Sequence, residues 1–154
     1  MSGPGADDPK ANRPGSPGFE ANLPAAPGPE VNRPEVLAEV QAVFARYEDA
    51  LVHNKIDVLD ELFWPSPHTV RYGVGENLYG IDEIRAFRIA RPSAGLARAL
   101  TRTVITTFGN DCATAVTEFQ RAGSDRIGRQ SQTWVRIDGA WRVVAAHVSL
   151  LAVG

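Results

Sequence analysis

The chain has 154 residues, 44% hydrophobic and 22% charged, with 16 Lys plus Arg against 18 Asp plus Glu. That is the profile of one soluble globular domain able to bury a core without covalent staples, and its single cysteine, Cys112, excludes a disulfide scaffold or a multi-cysteine zinc site. No apolar run approaches membrane-span length, the first 30 residues lack a signal-peptide core, and a formal net charge of -2 gives no general attraction for polyphosphate. The expected compartment is the cytoplasm, with small ligands or protein partners rather than nucleic acid or a membrane.

Eight of the 11 prolines fall in residues 1–34, with 5 of the 14 glycines, so residues 1–30 are expected to be a disordered Pro/Gly-rich tail and residues 31–154 the folded domain. The tail repeats itself in tens: Lys10-Ala11-Asn12-Arg13-Pro14, Glu20-Ala21-Asn22-Leu23-Pro24 and Glu30-Val31-Asn32-Arg33-Pro34. Three short copies cannot build a solenoid. They read as a duplicated leader, the alternative being that the extra copies mimic the domain's own N-terminal segment and dock on a neighbouring subunit.

Asn32 followed by Glu35 predicts an N-cap and capping box, and Pro34 suits a first turn. Val36, Leu37, Val40, Val43, Phe44, Tyr47 and Leu51 then keep helical spacing, predicting a helix over 33–53. A short helix over 56–63 ends at the Trp64-Pro65-Ser66-Pro67 run. Residues 69–74 and 77–79 read as a hairpin around Gly75, and 81–90 as a third helix stopped by Pro92. Four β-rich segments follow, over 98–108, 113–121, 126–137 and 141–151, parted by Gly109-Asn110, Gly123-Ser124 and Asp138-Gly139 turns.

Helices first, then a hairpin, a helix and a four-stranded meander, give an α+β domain. That order resembles the NTF2-like (SnoaL-like) fold, a cone in which a curved antiparallel sheet wraps a long N-terminal helix and leaves a pocket at its open end. The folded part is formally neutral, but 13 of its 14 cations are arginine and only Lys55 is lysine. Such usage suits bidentate recognition of carboxylates.

More specific are the runs Tyr47-Glu48-Asp49-Ala50-Leu51, Leu62-Phe63-Trp64, Ser66-Pro67-His68-Thr69-Val70-Arg71-Tyr72-Gly73, Glu76-Asn77-Leu78-Tyr79-Gly80, Ala86-Phe87-Arg88 with Ala90-Arg91-Pro92, Arg126-Ile127-Gly128-Arg129-Gln130-Ser131-Gln132 and Ala145-Ala146-His147-Val148-Ser149. Together they resemble the AtzH-like family, which also takes in the HpxZ proteins of oxalurate breakdown, over about residues 31–151. The resemblance implies a cone that is usually dimeric. It also implies a cofactor-free decarboxylation of 1,3-dicarboxyurea to allophanate in cyanuric acid breakdown, with Tyr47 and Arg71 in the places of the family's proposed catalytic pair.

The chemistry needs little machinery. A carboxylate on nitrogen leaves as CO2 once that nitrogen is protonated, because the bond pair returns to nitrogen without an electron sink. Arg71 would grip the retained carboxylate, and Tyr47, protonated at neutral pH, would donate the proton. By spacing alone Tyr47, three residues after Phe44 and four before Leu51, is a core aromatic, and by alternation alone Arg71 is a surface residue; the resemblance favours the pocket for both. Arg88 and Arg91, three apart near a helix end, are either a solvated helix terminus or a second carboxylate clamp for a dianionic substrate. His147 alternates with Val143, Ala145 and Ser149, as a core histidine or a substrate contact.

His53, His68 and His147 make no metal-ligand spacing, so no metal or cofactor is expected. The glycines at 73, 75 and 80 read as turn glycines. The reading is therefore a small enzyme acting on a ureido carboxylate as a homodimer. The alternatives are a binding protein or partner of an amidase, and an isomerase acting on a hydrophobic ring.

Overall fold

The computed structural model describes residues 27–153. The expectations of a tail and of docking copies at positions 10–14 and 20–24 fall outside the described residues. The chain runs through α1 (Pro34–Val52), α2 (Ile56–Leu62), β1 (Val70–Tyr72), β2 (Asn77–Tyr79), α3 (Ile81–Ala90), β3 (Arg98–Phe108), β4 (Cys112–Arg121), β5 (Gly128–Ile137) and β6 (Ala140–Leu150). These match the sequence reading to within two residues at every boundary, β1 being shortened at both ends and β5 starting two residues later. No helix among the described residues is long and apolar enough to cross a membrane.

The six strands form one open sheet in the order β2-β1-β6-β5-β4-β3. The expected meander is antiparallel throughout, but the sheet as a whole is mixed, because β1 lies parallel to β6. The reason is connectivity: after the β1–β2 hairpin, α3 carries the chain to the far edge, and three antiparallel reversals return it to β1 in the same direction. An Asp138-Gly139 turn with φ of 50° and 77° makes the last of those reversals.

Two register shifts, one between Leu100 and Arg102 and one between Thr133 and Trp134, insert an extra residue and bend the sheet. Against its concave face sit Val40, Phe44, Tyr47 and Ala50 of α1, with Leu59, Phe63 and Ile84, over Ala113, Ala115, Trp134 and Val143 of the strands. Val40, Ala50, Phe63, Ile84, Trp134 and Val143 are completely buried.

The helix ends are built differently from one another. At the C-terminus of α1, Asn54 takes φ of 50°, its N–H donates to the Leu51 carbonyl (3.2 Å), and Lys55 N–H donates to Ala50 (2.8 Å); asparagine tolerates this left-handed turn. At the N-terminus the expected Asn32 cap is not formed. The cap position is Arg33, with no side-chain hydrogen bond. Asn32, at φ of 57°, instead faces β3: its N–H donates to the Thr107 carbonyl (3.0 Å) and its Oδ1 accepts from Thr107 N–H (2.9 Å). With Gly109 N–H donating to the Glu30 carbonyl (2.9 Å), this clips the start of the domain to the sheet edge. The strand's unpaired peptide groups outcompete the helix terminus for the asparagine amide because they exchange two bonds with it rather than one.

The two roles predict different substitutions. Serine serves as well as asparagine at an N-cap, whereas the clip needs both the amide reach and a residue tolerant of positive φ. Asn32→Ser is therefore expected to lower unfolding free energy by about 1–3 kcal/mol, close to the loss in Asn32→Ala, measured by urea denaturation; a neutral Asn32→Ser would restore the capping role.

Candidate functional site

Tyr47 sets its ring in the core and its hydroxyl against β5. The ring of Tyr47, 4% exposed, packs 6.5 Å from Phe44, 6.3 Å from Phe63 and edge-on 6.4 Å from Trp134. Its hydroxyl projects beyond them to donate a long hydrogen bond to Gln130 Oε1 (3.5 Å). Burial of the ring thus fixes where the phenol proton is offered.

Arg71 is on the inner face of β1, opposite Ala146 of β6, with its side chain 12% exposed. Its Nη1 donates to Glu76 Oε1 (2.9 Å) and its guanidinium lies 5.3 Å from the Phe87 ring centre. Glu76 reaches it across Gly73, where a Cβ would overlap the carboxylate. A Cβ at position 73 would push that carboxylate aside, so Gly73 acts on the site through close approach rather than through turn geometry.

Arg88 is no solvated helix end. Its side chain is 3% exposed, its Nη1 donates to Asp60 Oδ1 (2.8 Å) and its guanidinium stacks 4.1 Å above Phe63. Arg91, ending α3, has Nε and Nη2 buried without any hydrogen-bond partner.

Two further arginines come from the meander. Arg98 pairs across the ladder with Arg121. Its side chain, 1% exposed, bonds both carboxylate oxygens of Glu48 and donates from Nη2 to Gln130 Oε1 (3.0 Å). Phe119 lies between the two guanidinium groups, 4.3 Å from Arg98 and 5.2 Å from Arg121. The ring in turn lies on Gly128, where a Cβ would displace it. Arg121 Nε is buried and unpartnered. A cleft of about 560 Å³ opens against Arg98 and Arg121 beside the β4–β5 turn.

These groups form one electrostatic unit. Burial holds the Arg91 pKa below its ordinary value, Arg71 and Arg88 lower it further, and Tyr47 and Glu76 act the other way. Arg88 is lowered chiefly by burial, with Asp60 opposing, and Arg121 by burial and then by Arg98 and Arg71. Five arginines (71, 88, 91, 98, 121) thus share one region with three paired carboxylates, Glu48, Asp60 and Glu76, leaving two positive charges over. The unpartnered buried atoms here are all donors: Arg91 Nε and Nη2, Arg121 Nε, Gln130 Nε2 and Gln132 Nε2. Unmade donors with excess positive charge call for a ligand of several acceptor oxygens and negative charge. Among the described residues, no three His, Cys, Asp or Glu side chains come together as metal ligands would.

The structure brings Tyr47, Arg71, Arg88 and Arg91 together and separates His147 from them, which corrects the expected face of that residue. The register shift makes Val144 an extra residue opposite Thr133 and Trp134, so the alternation that begins with buried Val143 inverts. Ala146 and Val148 then point inward, while His147 is exposed on the outer face with its ring 5.9 Å from Tyr72. Sequence reasoning missed Arg98, Arg121, Gln130, Gln132 and the three carboxylates. One signal was available: Gln130 and Gln132 alternate with Trp134, placing two amides on a core-facing stripe. The Arg98–Arg121 pairing emerges only from strand register.

A family model described as AtzH-like matches residues 29–153. A crystal structure of a protein of unknown function from the DUF3225 family of Pectobacterium atrosepticum is 66% identical, covering 79% of this chain and 95% of its own, with a TM-score of 0.78. A cystatin-like fold protein from Burkholderia xenovorans is 49% identical, covering 82% and 100%, with a TM-score of 0.79. An NTF2-like protein of unknown function from Pseudomonas putida, 16% identical over 75% of this chain and 86% of its own, has a TM-score of 0.62 and shares the fold. No curated protein matches the chain.

Arg88 and Arg91 are expected to separate in their effects. Arg88→Ala strands Asp60 and empties the space over Phe63, so it is expected to cost about 2–4 kcal/mol in urea denaturation. Arg91→Ala removes a cation with unmade bonds and is expected to change stability by less than about 1 kcal/mol.

Proposed function

The chain belongs to the AtzH-like family, and we propose that it decarboxylates a small N-carboxylated urea carrying two carboxylates, of the 1,3-dicarboxyurea type, to allophanate. The observation that carries this reading is the charge and bonding balance of the site: two cations in excess and only donors unmade. A dianion with acceptor oxygens at both ends supplies what that balance lacks.

In this mechanism Arg71, with Nη1 held by Glu76, grips the retained carboxylate through the remaining edge of its guanidinium. Arg91, whose Nε and Nη2 are free of protein partners, receives the departing one. Arg88 contributes charge from behind, its own fork being committed to Asp60. Tyr47 passes its proton to the nitrogen that bears the departing group. The C–N bond pair then returns to nitrogen, CO2 leaves, and the phenolate is neutralised by a proton from water. The surrounding cations stabilise that phenolate while it lasts.

The isomerase alternative needs a free carboxylate base beside an apolar cleft. Here Glu48, Asp60 and Glu76 are all ion-paired, which supports the small-anion reading instead. A homodimer is part of the same proposal. It is supported by the facing pair Val104 and Val116, 49% and 48% exposed on the outer side of β3 and β4.

The test is to mix the protein with freshly generated 1,3-dicarboxyurea and follow CO2 and allophanate above the spontaneous rate. Tyr47→Phe is expected to lower the catalysed rate at least ~100-fold, as loss of a general acid does, and Arg71→Ala to abolish saturation. Full turnover in Tyr47→Phe would refute the acid role. No acceleration by the wild type, with the stable dianion glutarate still binding, would make the chain a ureido-carboxylate binder.

A further inference from the structure

Gln130 and Gln132 occupy alternate positions on the inner face of β5, each 2% exposed. A side-chain amide carries one acceptor and two donors, and its neighbours decide which end faces where. Around Gln130 they are Arg98 Nη2 (3.0 Å), which can only donate, and the Tyr47 hydroxyl (3.5 Å). Arg98 is itself held by both oxygens of Glu48. Around Gln132 the neighbour is the indole N–H of Trp134 (3.1 Å), again only a donor. Both amide oxygens are thereby spoken for, and both Nε2 groups are left buried with no partner.

Two orphaned neutral donors beside a cluster of arginines have a different use from the arginines. A guanidinium matches a carboxylate in shape and charge, whereas a carboxamide N–H suits an uncharged carbonyl oxygen, which has two lone pairs. We infer that Gln130 and Gln132 form a carbonyl-recognition pair that selects substrates having a neutral C=O between two carboxylates, with Glu48 and Arg98 as positioning residues that keep the Gln130 amide turned donor-inward. This rests on the dianion reading above and deepens it. It also gives Tyr47 its aim. A urea carbonyl seated on the glutamine donors is one bond from the nitrogen to be protonated, and the phenol already lies against the Gln130 amide.

The experiment compares two stable-enough dicarboxylates on the full chain by calorimetry at low temperature. Glutarate and 3-oxoglutarate have the same carboxylate spacing and differ in the central carbonyl. The wild type is expected to prefer 3-oxoglutarate about tenfold, the combined scale of two neutral hydrogen bonds at the lower end of their net worth. Gln130→Met and Gln132→Met are each expected to keep glutarate affinity within about twofold while cutting the preference to about threefold or less. Glu48→Gln is expected to lower the preference without weakening glutarate, which mere loss of stability would not do.

Equal affinity of the wild type for the two compounds would overturn the carbonyl pair and leave the dianion site standing. Binding of neither would overturn both. A wild-type preference that survives unchanged in all three variants would overturn the assignment to these residues. The wild-type ratio is read without any variant, so a substitution that fails to fold does not remove the test.

Discussion

Five arginines drawn to one concave face repel one another wherever water is excluded. At an effective dielectric of about 20, two unit charges about 7 Å apart interact by roughly 2 kcal/mol, so a cluster of this kind stands only if most of its charge is answered. Glu48, Asp60 and Glu76 each answer one arginine, and aromatic faces take part of the rest, Phe63 under Arg88, Phe87 under Arg71 and Phe119 between Arg98 and Arg121. The arrangement stops short of neutrality. What remains is an excess of positive charge, and on the proposed reading that residual repulsion is what an anionic ligand would relieve.

The fold is organised to hold this excess in place. Helix α1 contributes both Tyr47 and Glu48, adjacent residues that face, respectively, the aromatic core and the Arg98 pair. The inner faces of β1 and β4, separated by two strands in the sheet, lie within electrostatic range of each other, since Arg71 contributes to lowering the pKa of Arg121. Two glycines matter through what sits where their side chains would be: Glu76 at Gly73 and Phe119 at Gly128. Each gives an arginine its support, so a methyl group at either position would be felt at the site rather than only in the backbone.

Solved structures only 13–22% identical to this chain share its fold, so the frame by itself does not set the chemistry. The difference lies in the lining, not in the frame. The lining here holds paired acids, arginines without acid partners and two amide donors, the features on which the proposed small-anion reading rests.

Periodicity sufficed for much of this protein. Helical spacing from Val36 to Leu51, the Pro65 and Pro92 stops and the Asp138-Gly139 turn are local signals, and local energetics set those elements. The recurring motifs were enough for the family, and they contain Tyr47, Arg71, Arg88 and Arg91, which the fold draws into one region. Three things were not legible, each for a non-local reason. Asn32 left its helix because a strand edge distant in sequence offered two bonds. His147 changed faces because one inserted residue reverses alternation, and nothing in β6 alone announces the insertion. Arg98, Arg121 and the donor-inward amides of Gln130 and Gln132 acquired meaning only through cross-strand register and through which neighbours could donate but not accept. Local sequence decides which elements form and what chemistry they carry; only the packed sheet decides which charges must face one another, because that repulsion acts through space and not along the chain.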